Sequence, residues 1–101
     1  MAKVSAVEKN RKRQRLAKRD AAKREALKTV IHDGSKPIEE RFQAQLKLSA
    51  MPRNGAKTRI RNRCEVSGRP RGYYRKLRMS RIALRELGSL GKVPGVVKSS
   101  W

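Results

Sequence analysis

The chain has 101 residues, with 28 Lys and Arg against 8 Asp and Glu, for a formal net charge of +20. Hydrophobic residues make up 37% and aromatics 4%, while charged residues reach 36%, which is too little apolar area to wall a deep catalytic pocket in one small domain. A chain this charged repels itself and offsets little of the backbone entropy of about 1–2 kcal/mol per residue, so it is expected to order fully only on an anionic partner.

Charge is uneven along the sequence. Residues 1–33 hold 11 bases and 4 acids, residues 34–57 hold 5 and 2, residues 58–79 hold 8 and 1, and residues 80–101 hold 4 and 1. The first block predicts a helix over Val4–Ile31, built from Ala, Lys, Arg, Glu and Leu, all good helix formers. Its apolar stripe is thin, namely Leu16, Leu27, Val30 and Ile31, and a helix polar on most faces suits an arm lying on phosphate. Gly34 follows the last apolar pair and reads as a left-handed stop.

A second helix is expected from Ser35 as N-cap, through Pro37 and the acidic pair Glu39 and Glu40, to a stop at Pro52. Ile38, Phe42, Leu46 and Ser49 follow helical spacing, and Phe42 and Leu46 are expected to meet Leu27, Val30 and Ile31 in a helical hairpin. From Arg53 to Met79 no period is evident, and Gly55, Gly68, Pro70 and Gly72 interrupt any long element. A third helix begins after Ser80 and runs to about Leu90, and Pro94 and Gly95 make the remainder an extended tail.

The densest feature is the loop from Lys57 to Arg81, which carries Arg59, Arg61, Arg63, Arg69, Arg71, Arg75, Lys76, Arg78 and Arg81. Most are Arg, whose planar fork bonds phosphate bidentately and stacks on bases. Tyr73 and Tyr74 interleave with these charges, an arrangement suited to looped or single-stranded RNA. One of the two tyrosines is expected to serve as a core residue.

Cys64, the single cysteine, begins a spacing of two, twelve and two intervening residues through Ser67 and Ser80 to Ala83. That is the frame of a four-ligand zinc knuckle. Zinc binds thiolate, imidazole or carboxylate, so Ser and Ala at three of the four positions predict no metal site. His32 lies far away, at a helix end. Cys64 is expected to be a packed side chain, with no His nearby to activate it. A lone cysteine also fits a reducing compartment. No paired carboxylates, no Ser–His arrangement and no phosphate-loop motif occur, so no catalytic residue is assigned and no cofactor is expected.

Asn62-Arg-Cys64, Ser67-Gly-Arg-Pro70, Tyr74-Arg, Ser80-Arg-Ile, Leu84-Arg-Glu86, Pro94-Gly95 and the terminal Lys98-Ser-Ser-Trp101, with Met51-Pro-Arg-Asn54 before them, resemble the small-subunit ribosomal protein fourteen family of the bacterial and organellar type. The likeness is specific from about Pro52 onward and looser before it. The family has a short form with four zinc-binding cysteines and a long, zinc-free form, and this chain resembles the long form. The resemblance implies a structural constituent of the small ribosomal subunit that binds 16S-type rRNA in the head and supports assembly and decoding-region conformation. It also implies small-subunit proteins three, ten and nineteen as neighbours, and a place on cytoplasmic or organellar ribosomes.

The expected architecture is mostly α, small and irregular. Residues 1–52 form a helical arm and hairpin, and residues 53–101 hold the basic loop on a metal-free knuckle frame, a short helix and the tail. The expected RNA-binding residues are the nine loop cations above with Tyr73, Tyr74, Lys98 and Trp101. Two alternatives fit the charge: a DNA-compacting basic protein, and a membrane-active cationic peptide, which would need a stronger apolar face than the first helix offers.

Overall fold

In the computed structural model, which describes residues 1–99, α1 spans Val4–His32 and α2 spans Ile38–Ala50. Two single 3-10 turns follow, Arg53–Gly55 and Lys57–Arg59. A two-stranded antiparallel ribbon comes next, β1 (Tyr73–Tyr74) against β2 (Met79–Ser80), in the register Tyr73 with Ser80 and Tyr74 with Met79. The last element is α3, Arg81–Ser89. The mostly helical class matches the sequence reading.

The chain divides into two compact units: Lys9–Ile60, and Met1–Glu8 together with the chain from Arg61 onward. Neither shows a core of large side chains among the described residues. Among the described residues the buried hydrophobics are Ala17, Ala44, Cys64, Ala83 and Val93. Burial of such small groups returns little free energy against chain entropy.

In the Lys9–Ile60 unit, α1 anchors the chain that returns after α2. Arg24 Nη2 donates to the Pro52 carbonyl at 2.7 Å. The buried Asp20 accepts two hydrogen bonds from Arg19, at 2.8 and 3.1 Å, and this pairing holds its carboxyl below the usual range. Gly55 passes so close that a Cβ there would sit 2.9 Å from Asp20 Oδ2. Arg41 Nε donates to the Ile31 carbonyl at 2.9 Å.

Three sequence expectations need revision in this unit. The N-cap of α2 is Pro37, with no side-chain cap bond. Ser35 instead donates its N–H and hydroxyl to Asp33 Oδ1, at 3.0 and 2.6 Å, an Asx-type turn that competes for the same polar atoms. Gly34 is not among the glycines with positive φ, because this turn reverses the chain without a left-handed residue. Phe42 and Leu46 remain 61% and 52% exposed. The buried residue of α2 is Ala44, so the helix turns its small residue inward and leaves the larger ones on the surface.

In the other unit, Ser80 caps α3, its Oγ accepting from the Ala83 N–H at 3.2 Å. Gly91 (φ +70°) follows the helix, which runs through Gly88. The Lys92 N–H donates to the Leu87 carbonyl at 2.9 Å and Val93 is buried, so the tail starts with a docked turn. Gly95 (φ +76°) completes that turn.

Candidate nucleic-acid interface

The Arg-rich segment is built around Cys64. The Cys64 N–H donates to the Arg69 carbonyl at 3.0 Å and the Gly68 N–H returns to the Cys64 carbonyl at 2.8 Å, closing a tight loop. Gly68 has φ +76°, a backbone conformation that favours glycine. A Cβ there would lie 3.0 Å from Val7 Cγ2 and 3.1 Å from Ala2 Cβ. The Ala2 N–H donates to the Ser67 carbonyl at 3.2 Å. The first residues of the chain therefore pack on this loop, a long-range contact that the charge blocks do not signal.

Positions 64, 67, 80 and 83 come together here. The Ser67 N–H points at Cys64 Sγ from 3.5 Å, and Ser80 and Ala83 are linked by the α3 cap. Cys64, Ser80 and Ala83 are all buried. Burial pushes the Cys64 thiol up, but the Ser67 hydroxyl and the backbone N–H groups of Ser67, Ser80 and Val66 outweigh it, bringing the pKa down to about 6. The donor set does not suit zinc: one thiol, two hydroxyls and a methyl occupy the four positions. Among the described residues no three His, Cys, Asp or Glu gather at one point. Packing and backbone hydrogen bonds hold this loop.

From this frame the cations project. Arg63 is half-buried and its Nη1 donates to the Gly68 carbonyl at 3.0 Å. Arg61 Nε reaches the Pro70 carbonyl at 3.3 Å. Arg69 is half-buried and Arg71 exposed. The Nε atoms of Arg63 and Arg69 are buried without a hydrogen-bond partner, so each guanidinium lies against the loop rather than extending freely.

The ribbon carries the next group. Tyr73 is half-buried and Tyr74 50% exposed, so neither ring is the core residue that the sequence led one to expect, because the short ribbon leaves both partly open to solvent. Arg75, Lys76 and Arg78 occupy the turn between the strands and are exposed. Arg78 has φ 54°, and its N–H donates to the Tyr74 carbonyl at 2.8 Å, which closes the turn. Its pairing with Glu65 is long, 3.7 Å, with both side chains well exposed, so it adds little and leaves the charge available. The Arg81 N–H donates to the Gly72 carbonyl at 2.7 Å. Its side chain lies over Gly72, where a Cβ would meet Cδ at 3.1 Å.

One unit thus gathers Arg61, Arg63, Arg69, Arg71, Tyr73, Tyr74, Arg75, Lys76, Arg78 and Arg81. Arg59 falls in the Lys9–Ile60 unit, where its carbonyl accepts from Arg13 Nη1 at 3.4 Å. Lys98 is exposed in the tail, and Trp101 lies outside the described residues. The ribbon itself was missed by sequence reasoning, since two-residue strands show no alternation. No helix among the described residues is long and apolar enough to cross a membrane.

The family model described as ribosomal protein S14p/S29e matches residues 47–100. The chain is 73% identical to small ribosomal subunit protein uS14 of Rhizobium meliloti (strain 1021), over all 101 residues of both chains. It is likewise 73% identical to that of Sinorhizobium medicae (strain WSM419), and 69% identical to that of Brucella ovis (strain ATCC 25840 / 63/290 / NCTC 10512), again over the full length of each. The Cys64 loop, the tyrosine ribbon and α3 all fall inside the matched segment, and the chain belongs to the ribosomal protein S14p/S29e family.

Proposed function

We infer that the protein is a structural constituent of the small ribosomal subunit, with an architectural role and no catalytic one. The single observation that carries the mechanism is the Arg-rich surface of the Cys64 unit, in which ten of the expected contact residues share one small scaffold. Each guanidinium can neutralise a phosphate and release counterions, letting RNA segments that repel one another pack together. Arg63 and Arg69, laid against the loop, are positioned at reduced entropic cost. Arg71, Arg75, Lys76 and Arg78 are the reaching charges. Tyr74 offers an exposed ring on which an unstacked base can lie.

The ligand on this reading is 16S-type rRNA of the subunit head, and contact there supports assembly and the conformation of the decoding region. Small-subunit proteins three, ten and nineteen are the expected neighbours, and the exposed Phe42 and Leu46 of α2 suit contact with a protein better than with phosphate. The chain acts as the long, zinc-free form, with the Cys64 loop held by packing. Its compartment is the cytoplasm, on the ribosome. Co-sedimentation tests this reading: the protein stays with small subunits through a high-salt wash, and release into the free fraction at moderate salt would count against it.

A further inference from the structure

The sequence holds three asparagines, Asn10, Asn54 and Asn62, and only Asn54 is followed by glycine. An asparagine amide can be attacked by the backbone nitrogen of the next residue, and a glycine there offers no side chain to hinder the approach. Arg11 and Arg63 hinder it at the other two. The structure places Asn54 in the middle of the Arg53–Gly55 turn and fixes Gly55 tightly. The Gly55 N–H donates to the Pro52 carbonyl at 3.1 Å, and that same carbonyl accepts from Arg24 Nη2 at 2.7 Å. Gly55 is buried, with Asp20 Oδ2 only 2.9 Å from the place a Cβ would take. A 3-10 backbone, with ψ of about −25°, also turns the Gly55 nitrogen away from Asn54 Cγ. The ring that would join them needs ψ rotated far from the helical range.

We propose that Asn54–Gly55 is a site of spontaneous deamidation that the fold keeps closed, so that chain left unassembled is chemically marked. When the turn opens, the Gly55 nitrogen gives up its proton to hydroxide and bonds to Asn54 Cγ. The Cγ–Nδ2 bond breaks, Nδ2 leaves as ammonia, and a cyclic imide remains. Water then opens the imide at either carbonyl, giving aspartate or isoaspartate at position 54. In isoaspartate the main chain runs through the side chain and is one methylene longer. The close fit of Gly55 against Asp20 leaves no room for that detour. Either product also adds a carboxylate near the buried Asp20 carboxylate, where like charges repel. The turn therefore does not reclose on α1, and the change is one-way. The buried hydrophobics of the chain are few and small, so the turn opens often before RNA is bound, and the product at position 54 records time spent free.

The test ages the full chain in mildly alkaline buffer. One arm is bound to a transcript of the head domain of 16S-type rRNA, and the other is unfolded in guanidinium chloride. Peptide mapping with isoaspartate-specific enzymatic methylation reads the product at each asparagine. Conversion should concentrate at Asn54 and run about tenfold or more faster in the unfolded arm, because the open fraction sets the rate. Asn54→Gln should remove the signal at this position with helicity unchanged by circular dichroism. Chain carrying isoaspartate, separated by cation exchange, should rebind the transcript about tenfold more weakly than unmodified chain. Equal rates in the two arms with the complex intact, conversion at Asn54 no faster than at Asn10 and Asn62, or unaltered rebinding would each overturn the proposal. Failure to form the complex would instead overturn the RNA reading, and the free chain in plain buffer then serves as the folded arm.

Discussion

Changing Gly68 to Ala probes how the Arg-rich scaffold is built. Gly68 sits at φ +76°, where a residue with a Cβ pays about 1–2 kcal/mol. The new Cβ would also stand 3.0 Å from Val7 Cγ2 and 3.1 Å from Ala2 Cβ, closer than ordinary van der Waals contact. Either the loop opens or the first turn of α1 gives way, adding about 1 kcal/mol. The expected total is about 2–3 kcal/mol, concentrated in the unit that holds Arg63 and Arg69. Hydrogen exchange of the RNA-bound protein should show faster exchange at the Ala2, Cys64 and Gly68 amides, whose bonds run across this contact. Adding Val7→Ala removes the nearer contact but not the backbone cost, so it should restore part of the loss. Unchanged protection in Gly68→Ala, or full rescue by Val7→Ala, would show that the positive φ and the close approach at Gly68 do not hold this loop.

Four further outcomes are expected. Ser80→Ala removes the cap of α3 and leaves the Ala83 N–H without its 3.2 Å acceptor, costing about 1–2 kcal/mol by urea titration of the RNA complex, with Ser80→Thr losing less. Asp20 has a lowered carboxyl pKa through its bonds to Arg19; its contribution is present above the unfolded value near 4 and is lost as pH falls below it, so acid melting should be less steep in Asp20→Asn. Cys64 has a thiol pKa of about 6 in the fold against about 8.5 in the unfolded chain; stability should therefore rise with pH across that window under reducing conditions, and Cys64→Ala should abolish the rise. Arg69 and Arg71 changed together to Ala should reduce incorporation into small subunits more than Lys9 and Lys12 changed together, as read by quantitative co-sedimentation.

Features set by neighbouring residues were legible in the sequence, and features set by distant ones were not. The α3 cap follows from Ser80 preceding a run of helix formers, and α1 follows from some thirty residues without Gly or Pro. The concentration of Arg between 59 and 81 marked most of the candidate interface, because charge density needs no fold to be seen. Ser35 misled because the same hydroxyl that could cap a helix found Asp33 two residues before it. The ribbon escaped notice because its turn depends on Arg78 in the left-handed region, where Gly or Asn would be the usual sign. The docking of Met1–Glu8 on the Cys64 loop was invisible, since it joins residues more than sixty positions apart. Only Gly68 hinted at it, as a glycine whose missing side chain makes room for something. The return of the chain beyond α2 onto α1 was hidden for a similar reason, since it is pinned there by the bond from Arg24 to the Pro52 carbonyl.

On the proposed function, the Arg-rich unit holds rRNA through its phosphates. The direct measurement is the equilibrium affinity for head-domain rRNA over a range of salt, for the wild type and for Arg69 and Arg71 changed together to Ala. Phosphate contact gives a steep log–log slope in the wild type, smaller in the double variant by about 1.4–1.8, the share of two phosphate contacts. A wild-type slope near zero, or a double variant with the same slope and affinity as the wild type, would contradict it.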